Sequence, residues 1–181
     1  MENSKYLIPP AHMRALSGKT DQTKEVTEKC LKWLKEDSPF CILSGENGVG
    51  KTILACQMML AWIKESEKSK EVTGEFLDLS LTYHKWLDEM RSGSVYKLLE
   101  KNCAIDIVII DDMGVKMPSE GWREWLMTLI NQRLVYEKRT IITTNLDSEQ
   151  MQAYYGEALL SRIMIGTQIR IQGCDRRLSL G

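Results

Sequence analysis

The sequence predicts an α/β protein, with a central parallel sheet between two layers of helices. Three observations predict it. Short apolar runs alternate with longer amphipathic stretches along the chain, the order that builds a parallel sheet with helices on both faces. The run Ile105-Asp106-Ile107-Val108-Ile109-Ile110 is β-branched and almost uninterrupted, as a strand covered on both sides requires. A glycine-rich segment, Gly45-Glu46-Asn47-Gly48-Val49-Gly50-Lys51-Thr52, lies directly between an apolar run and a helical pattern, where a strand would turn into a helix.

The elements follow in order. Residues 1–20 carry the pair Pro9-Pro10 and the turn signal Ser17-Gly18, and read as an irregular lead-in. Residues 21–36 place Val26, Cys30, Leu31, Trp33 and Leu34 at spacings near three to four, with Lys and Glu between, which is an amphipathic helix. Phe40-Cys41-Ile42-Leu43, after Pro39, is too short for a helix and fits a buried strand. The next helix starts at the glycine-rich loop and runs through Ile53, Leu54, Met58, Leu60, Ala61 and Ile63. Phe76–Leu79 reads as a weaker strand, and Ser80 as the cap of a helix that Gly93 ends. A short helix over 94–101 precedes the strand at 105–110. Residues 119–137 form a long helix, 139–143 a strand, 147–164 one or two helices, and 167–171 a last short strand.

At 181 residues the chain is one domain with a short appendage. The 24 Lys and Arg stand against 25 Asp and Glu, so a globally basic nucleic-acid binder is excluded, although a local basic face is not. Hydrophobic residues at 43% and charged ones at 27% are ordinary for a folded domain and exclude wholesale disorder. No apolar run approaches the ~20 residues of a membrane span. No secretory leader is visible at the start. Five cysteines, none at C-x-x-C spacing, and two histidines offer few zinc ligands. They read as reduced thiols of a cytoplasmic protein, with Cys41 and Cys56 in the core.

Chemistry concentrates in a few places. The segment 45–52 matches G-x-x-x-x-G-K-[ST] in full. Its glycines allow successive backbone N–H groups to converge on phosphate oxygens, and the following helix adds its positive end. Gly45 through Thr52 are therefore the expected ATP-binding loop, with Lys51 on the β/γ-phosphates and Thr52 on Mg²⁺. The run Ile107-Val108-Ile109-Ile110-Asp111-Asp112 delivers two carboxylates to the C-terminal edge of a strand, where open α/β sheets bind ligands. Asp111 is expected on Mg²⁺, and Asp112 on the attacking water. Thr140-Ile141-Ile142-Thr143-Thr144-Asn145 ends a third strand in small polar residues and could aim Asn145 between the other two. Arg162, near a helix end, could serve as an arginine finger for a neighbouring subunit; a plain surface arginine fits its spacing too. Trp122 and Trp125 read as one core and one rim indole, or as a stacking surface for a partner.

These residues together resemble the AAA+ ATPases. More narrowly, the chain looks like the DnaC/DnaI-type replicative helicase loaders and the IstB transposition ATPases. Ile8-Pro9-Pro10, Asp111-Asp112-Met113-Gly114, Asn131-Gln132-Arg133, Thr143-Thr144-Asn145 and Gly173-Cys174-Asp175-Arg176-Arg177 fall in the order used by that clan. The resemblance implies a P-loop AAA+ core over 21–181, with residues 1–20 contributing to the nucleotide pocket. It makes Asn145 sensor 1 and Arg162 the finger. It implies an ATPase of DNA replication that forms homo-oligomers with ATP and engages a replicative helicase and single-stranded DNA. An IstB-like transposition helper, an adaptor with little turnover and a small-molecule kinase are the alternatives. Three departures stand out. Asp112 occupies a position that is Glu in many AAA+ proteins, which points to slow hydrolysis. The chain ends at Gly181, so the helical lid is expected to be largely absent, with Arg176 or Arg177 only partly replacing its sensor 2. The Ile-Pro lead-in begins at residue 8, leaving no room for the N-terminal helicase-binding domain such loaders usually carry.

Overall fold

The computed structural model describes residues 6–15, 22–68, 70–114 and 118–173. Its elements are β1 (Tyr6–Leu7), α1 (Pro10–Ala15), α2 (Lys24–Lys35), β2 (Phe40–Ser44), α3 (Lys51–Ser66), β3 (Gly74–Asp78), α4 (Leu79–Ser92), α5 (Val95–Ala104), β4 (Ile107–Met113), α6 (Glu120–Val135), β5 (Arg139–Thr144), α7 (Ser148–Tyr155), α8 (Glu157–Ile163) and β6 (Thr167–Arg170). The strands form one parallel sheet in the order β1-β3-β4-β5-β2-β6. Helices on both faces make the three layers the sequence predicts.

The alternation along each strand sorts the core. Cys41, Leu43, Ile107, Ile109 and Ile141 face α2 and α3, where they join Trp33, Leu54, Cys56 and Met59. Phe40, Ile42, Val108, Ile110 and Ile142 face the other way, onto α6, α7 and α8 with Leu126, Leu129, Met151 and Leu159. Cys30, Cys41 and Cys56 are buried free thiols, as expected. Both indoles of α6 are core: Trp122 and Trp125 stack at 4.8 Å and 7°, with Trp86 edge-on to Trp122.

Several elements differ from the sequence expectation. The lead-in is not irregular throughout. Tyr6–Leu7 pairs with Gly74 and Glu75 on the sheet edge, and Pro10 starts a helix, because proline suits the first helical position, where no N–H partner is needed. Asp78, not Ser80, caps α4, its carboxylate accepting from Leu81 N at 3.0 Å, so β3 ends one residue before the predicted Leu79. Strand β4 continues through Asp111 and Asp112 to Met113, with a bulge against β5 after Ile110. Asp106, which the sequence places inside the strand, precedes β4 and is tied down there: it accepts from Thr73 at 3.0 Å and from Lys138 at 2.8 Å.

Two buried arginines fasten the edge of the sheet opposite the glycine-rich loop. Arg139 lies 3.9 Å over the Trp33 ring and donates to the carbonyls of Trp33, Glu36 and Ser38 at the end of α2. Cations suit helix C-termini. Arg133 is fully buried and donates to Thr140 Oγ1 and to the carbonyls of Asn102, Ile105 and Arg139 at 2.6–2.9 Å. Burial lowers its pKa to about 10, which leaves it a cation at neutral pH. Arg133→Leu orphans these acceptors. It is expected to cost on the order of 3 kcal/mol, a melting-point drop of roughly 10 °C for a chain of this size. Calorimetry checks it, and a drop under about 2 °C contradicts the role.

Candidate nucleotide site

Strand β2 ends at Ser44, between β5 and β6, and the loop from 45 to 50 closes over its end. Gly45 cannot be replaced here, because a Cβ would collide with the carbonyl oxygen of Ile171, which follows β6. Ile171 N also donates to Ser44 O at 2.7 Å. Val49 turns its side chain into the core and pins the loop, so only its backbone is available to a ligand. Glu46 and Asn47 are exposed. Gly50 is left-handed, with φ 94°, and caps α3 without a side-chain bond. The first N–H groups of α3 are thereby offered to an anion.

Lys51 opens α3, and its Nζ donates to Gly45 O at 2.8 Å and Glu46 O at 2.7 Å. The ammonium is thus held over the loop, and Lys51 as a residue is buried. One residue on, Thr52 Oγ1 donates to Asp111 Oδ1 at 2.9 Å, and Thr143 Oγ1 donates to the same oxygen at 2.7 Å. Burial raises the Asp111 pKa, and the neighbouring Asp112 charge adds to that; the Thr143 and Thr52 bonds and His12 oppose it. His12 comes from α1, its ring 5.0 Å from Phe76. A hydroxyl and a carboxylate are hard oxygen donors, the kind Mg²⁺ takes alongside substrate phosphates. The donor set therefore fits that ion.

Thr143 has a second role. It accepts from Asp112 N at 2.9 Å, across the bulge, and Asp112 stands at φ 62°, in the left-handed region. The two carboxylates consequently part company. Asp111 faces α3, whereas Asp112 is exposed toward α4 and α6, beside Tyr83 and Trp122. Asn145 is exposed just past β5. It lines a cleft of about 720 Å³ with Gly45, Glu46, Gln150, Arg170 and Gln172. That cleft adjoins the loop but does not include Lys51, Thr52 or Asp111 in its lining. This cleft is thus a neighbour of the phosphate-type site, which the hydrogen bonds of Lys51, Thr52 and Asp111 locate. Arg162 is half-buried in the last turn of α8, its guanidinium on Ala158 O of its own helix, and lines neither this cleft nor the smaller one by Asp112. Arg176 and Arg177 lie outside the described residues.

Thr143 was legible only as part of a polar strand end. Strands β4 and β5 run parallel and in register, so polar residues ending both must meet; that rule could have singled it out. His12 had no comparable signal.

A family model described as IstB-like ATP binding protein matches residues 15–170. A curated relative, the uncharacterized protein YdaV of Escherichia coli (strain K12), is 26% identical over 120 residues, 66% of this chain and 47% of that protein. The match thus spans about half the length of that relative. Among solved structures, the DnaC helicase loader is similar with TM-score 0.73 at 22% identity, covering 88% of this chain and 99% of that one. DnaI is similar with TM-score 0.73 at 18% identity, covering 94% of each. The fold is the P-loop AAA+ core these structures share. Among the described residues no helix is long and apolar enough to cross a membrane.

Proposed function

The chain belongs to the family of IstB-like ATP binding proteins, and from that premise we propose that it is a Mg²⁺-dependent ATPase that assists DNA replication in the manner of a helicase loader. The observation that carries the proposal is the Asp111 oxygen shared by Thr52 and Thr143 at the start of α3. In this reading Thr52 and Asp111 hold the ion, which when bound neutralises phosphate charge. Lys51 and the backbone N–H groups of 45–52 hold the phosphates. Asp112 orients and deprotonates the attacking water, Asn145 reads the phosphate end, and Arg162 reaches the nucleotide of a neighbouring subunit. Nucleotide state then governs self-association, and with it the grip on a replicative helicase and on single-stranded DNA.

The fold of the DnaC helicase loader supports the replication half. So does the local charge of residues 162–181, four Arg against one Asp, which suits phosphate contact. The family match itself favours a second reading, an IstB-like transposition helper that engages duplex DNA and a transposase. Turnover measured with single-stranded and with duplex DNA separates them. Stimulation by single strands is the expected result. Stimulation by duplex alone overturns the loader reading in favour of the second, and no turnover with Mg²⁺ under either condition overturns both.

Asp112→Asn is expected to keep nucleotide affinity and to lose about 10²–10⁴-fold in turnover, the usual contribution of a general base. The amide tolerates the left-handed backbone but cannot accept the proton. Steady-state rates within about twofold of wild type would remove Asp112 from the reaction.

A further inference from the structure

Strand β4 loses register with β5 after Ile110 and is back in step at Met113. The residues between are Asp111 and Asp112, so the regular pairing with β5 lapses at the two carboxylates. Two hydroxyls of β5 take its place. Thr143 shares the α3 face of the sheet with Ile141, and Thr144 lies on the other face, against Met151. Thr144 Oγ1 donates to Met113 O at 2.6 Å and accepts from Leu146 N at 3.0 Å. Thr143 Oγ1 donates to Asp111 Oδ1 at 2.7 Å and accepts from Asp112 N at 2.9 Å. Each threonine is 1% exposed, and each hydroxyl has one proton to give and lone pairs to receive.

We propose that Thr143 is a positioning residue that couples the two aspartates, one hydroxyl orienting the carboxylate of Asp111 toward the ion while fixing the backbone from which Asp112 departs. The inference rests on the Mg²⁺ reading given above and adds the group that orders its ligand. A carboxylate that ligates a metal needs hydrogen-bond partners to hold it in place. Thr52 is one donor to Asp111 Oδ1, but it is itself an expected ligand of the ion. Thr143 is the donor left to orient. Its single proton is given to Asp111, so a lone pair faces Asp112 N, and each bond sets the direction of the other. Asp112 stands at φ 62°, and a residue other than glycine keeps such a backbone only where its surroundings over-determine it. The bond to Thr143 is the contact that does so. A shift of Asp111 thus carries the Asp112 amide with it, and the two carboxylates act as one unit. Thr144 supplies an internal control. It has the same strand, the same burial and two hydroxyl bonds, yet those bonds reach neither aspartate.

The test uses the full chain and two readouts besides turnover. Exchange of the Asp112 amide is followed by NMR without nucleotide or metal. Binding of Mn²⁺, a spectroscopic substitute for Mg²⁺, is followed by electron paramagnetic resonance with a non-hydrolysable ATP analogue present. In the wild type the Asp112 amide is expected to be protected, although the residue is exposed. Thr143→Val keeps the shape and removes the hydroxyl. It should lose that protection and bind Mn²⁺ about 10–100-fold more weakly, the usual effect of removing a group that orients a metal ligand. Thr143→Ser should recover both. Thr144→Val should lower the melting temperature as much as Thr143→Val does and leave Mn²⁺ affinity close to wild type. An unprotected Asp112 amide in the wild type would overturn the proposal even if Thr143→Val does not fold. Equal Mn²⁺ affinity in wild type and Thr143→Val, no recovery in Thr143→Ser, or an equal loss in Thr144→Val would each overturn it too. Wild-type protein that takes up no Mn²⁺ with nucleotide would defeat the Mg²⁺ reading and the proposal together. Uptake that ignores Thr143 would defeat the proposal alone.

Discussion

Lys51→Ala is expected to lower ATP affinity by roughly 10²–10³-fold, the equivalent of losing two charge-assisted hydrogen bonds. The ammonium now donates to the carbonyls of Gly45 and Glu46. A phosphate chain seated on the loop offers it stronger, charged acceptors at the same place. No other described residue of the loop carries a cationic side chain, since positions 45–50 are Gly, Glu, Asn, Gly, Val and Gly. The loop itself should survive the change. Val49 remains anchored in the core, Ile171 still packs on Gly45, and the freed carbonyls can turn to water at a half-exposed loop. The melting temperature should therefore stay close to wild type while titration with a fluorescent ATP analogue shows the loss. Equal affinity in the two proteins would contradict the assignment of Lys51. A large fall in melting temperature would instead make its bonds to the loop the principal role.

Arg162→Ala is expected to leave the ATP affinity of an isolated subunit unchanged. Among the described residues its guanidinium bonds to the carbonyl of Ala158 in its own helix, and it lines neither cavity described above. Its effect should fall on turnover in the oligomer, where arginine fingers contribute about 10³–10⁵ in rate, and on self-association with ATP, because the planar fork would bridge two subunits through phosphate. A residue serving only α8 shows the opposite pattern, with reduced stability and unchanged specific activity. Calorimetry together with concentration-dependent ATPase rates separates the two.

The fold was largely readable because parallel-sheet strands advertise themselves. Ile107 through Ile110 could not face water on either side, and the glycine loop between Leu43 and Ile53 fixed where strand became helix. Less legible were features set by pairing rather than by local pattern. Tyr6–Leu7 is a strand only because the edge of β3 accepts it, and Pro10 signals a break and a helix start alike. Within the site, 45–52 and Asp111 were legible from motif and strand context. That Asp111 and Asp112 diverge was not, since the divergence depends on a bulge and on a Thr143 hydroxyl from the next strand that braces both. Alternation along an extended strand does send neighbours to opposite faces, but at a strand end the sequence does not say where extension stops.

In the proposed mechanism, nucleotide bound by one subunit is acted on by the next, and mixing two inactive variants puts this to trial. Lys51→Ala keeps its finger and loses its loop; Arg162→Ala keeps its loop and loses its finger. In mixed oligomers some interfaces then pair an intact loop with an intact finger. The predicted result is ATPase activity in the mixture that neither variant has alone, rising with total protein concentration. A mixture as inactive as its components, although both are folded and co-assemble, would contradict the shared site and the oligomeric switch built on it.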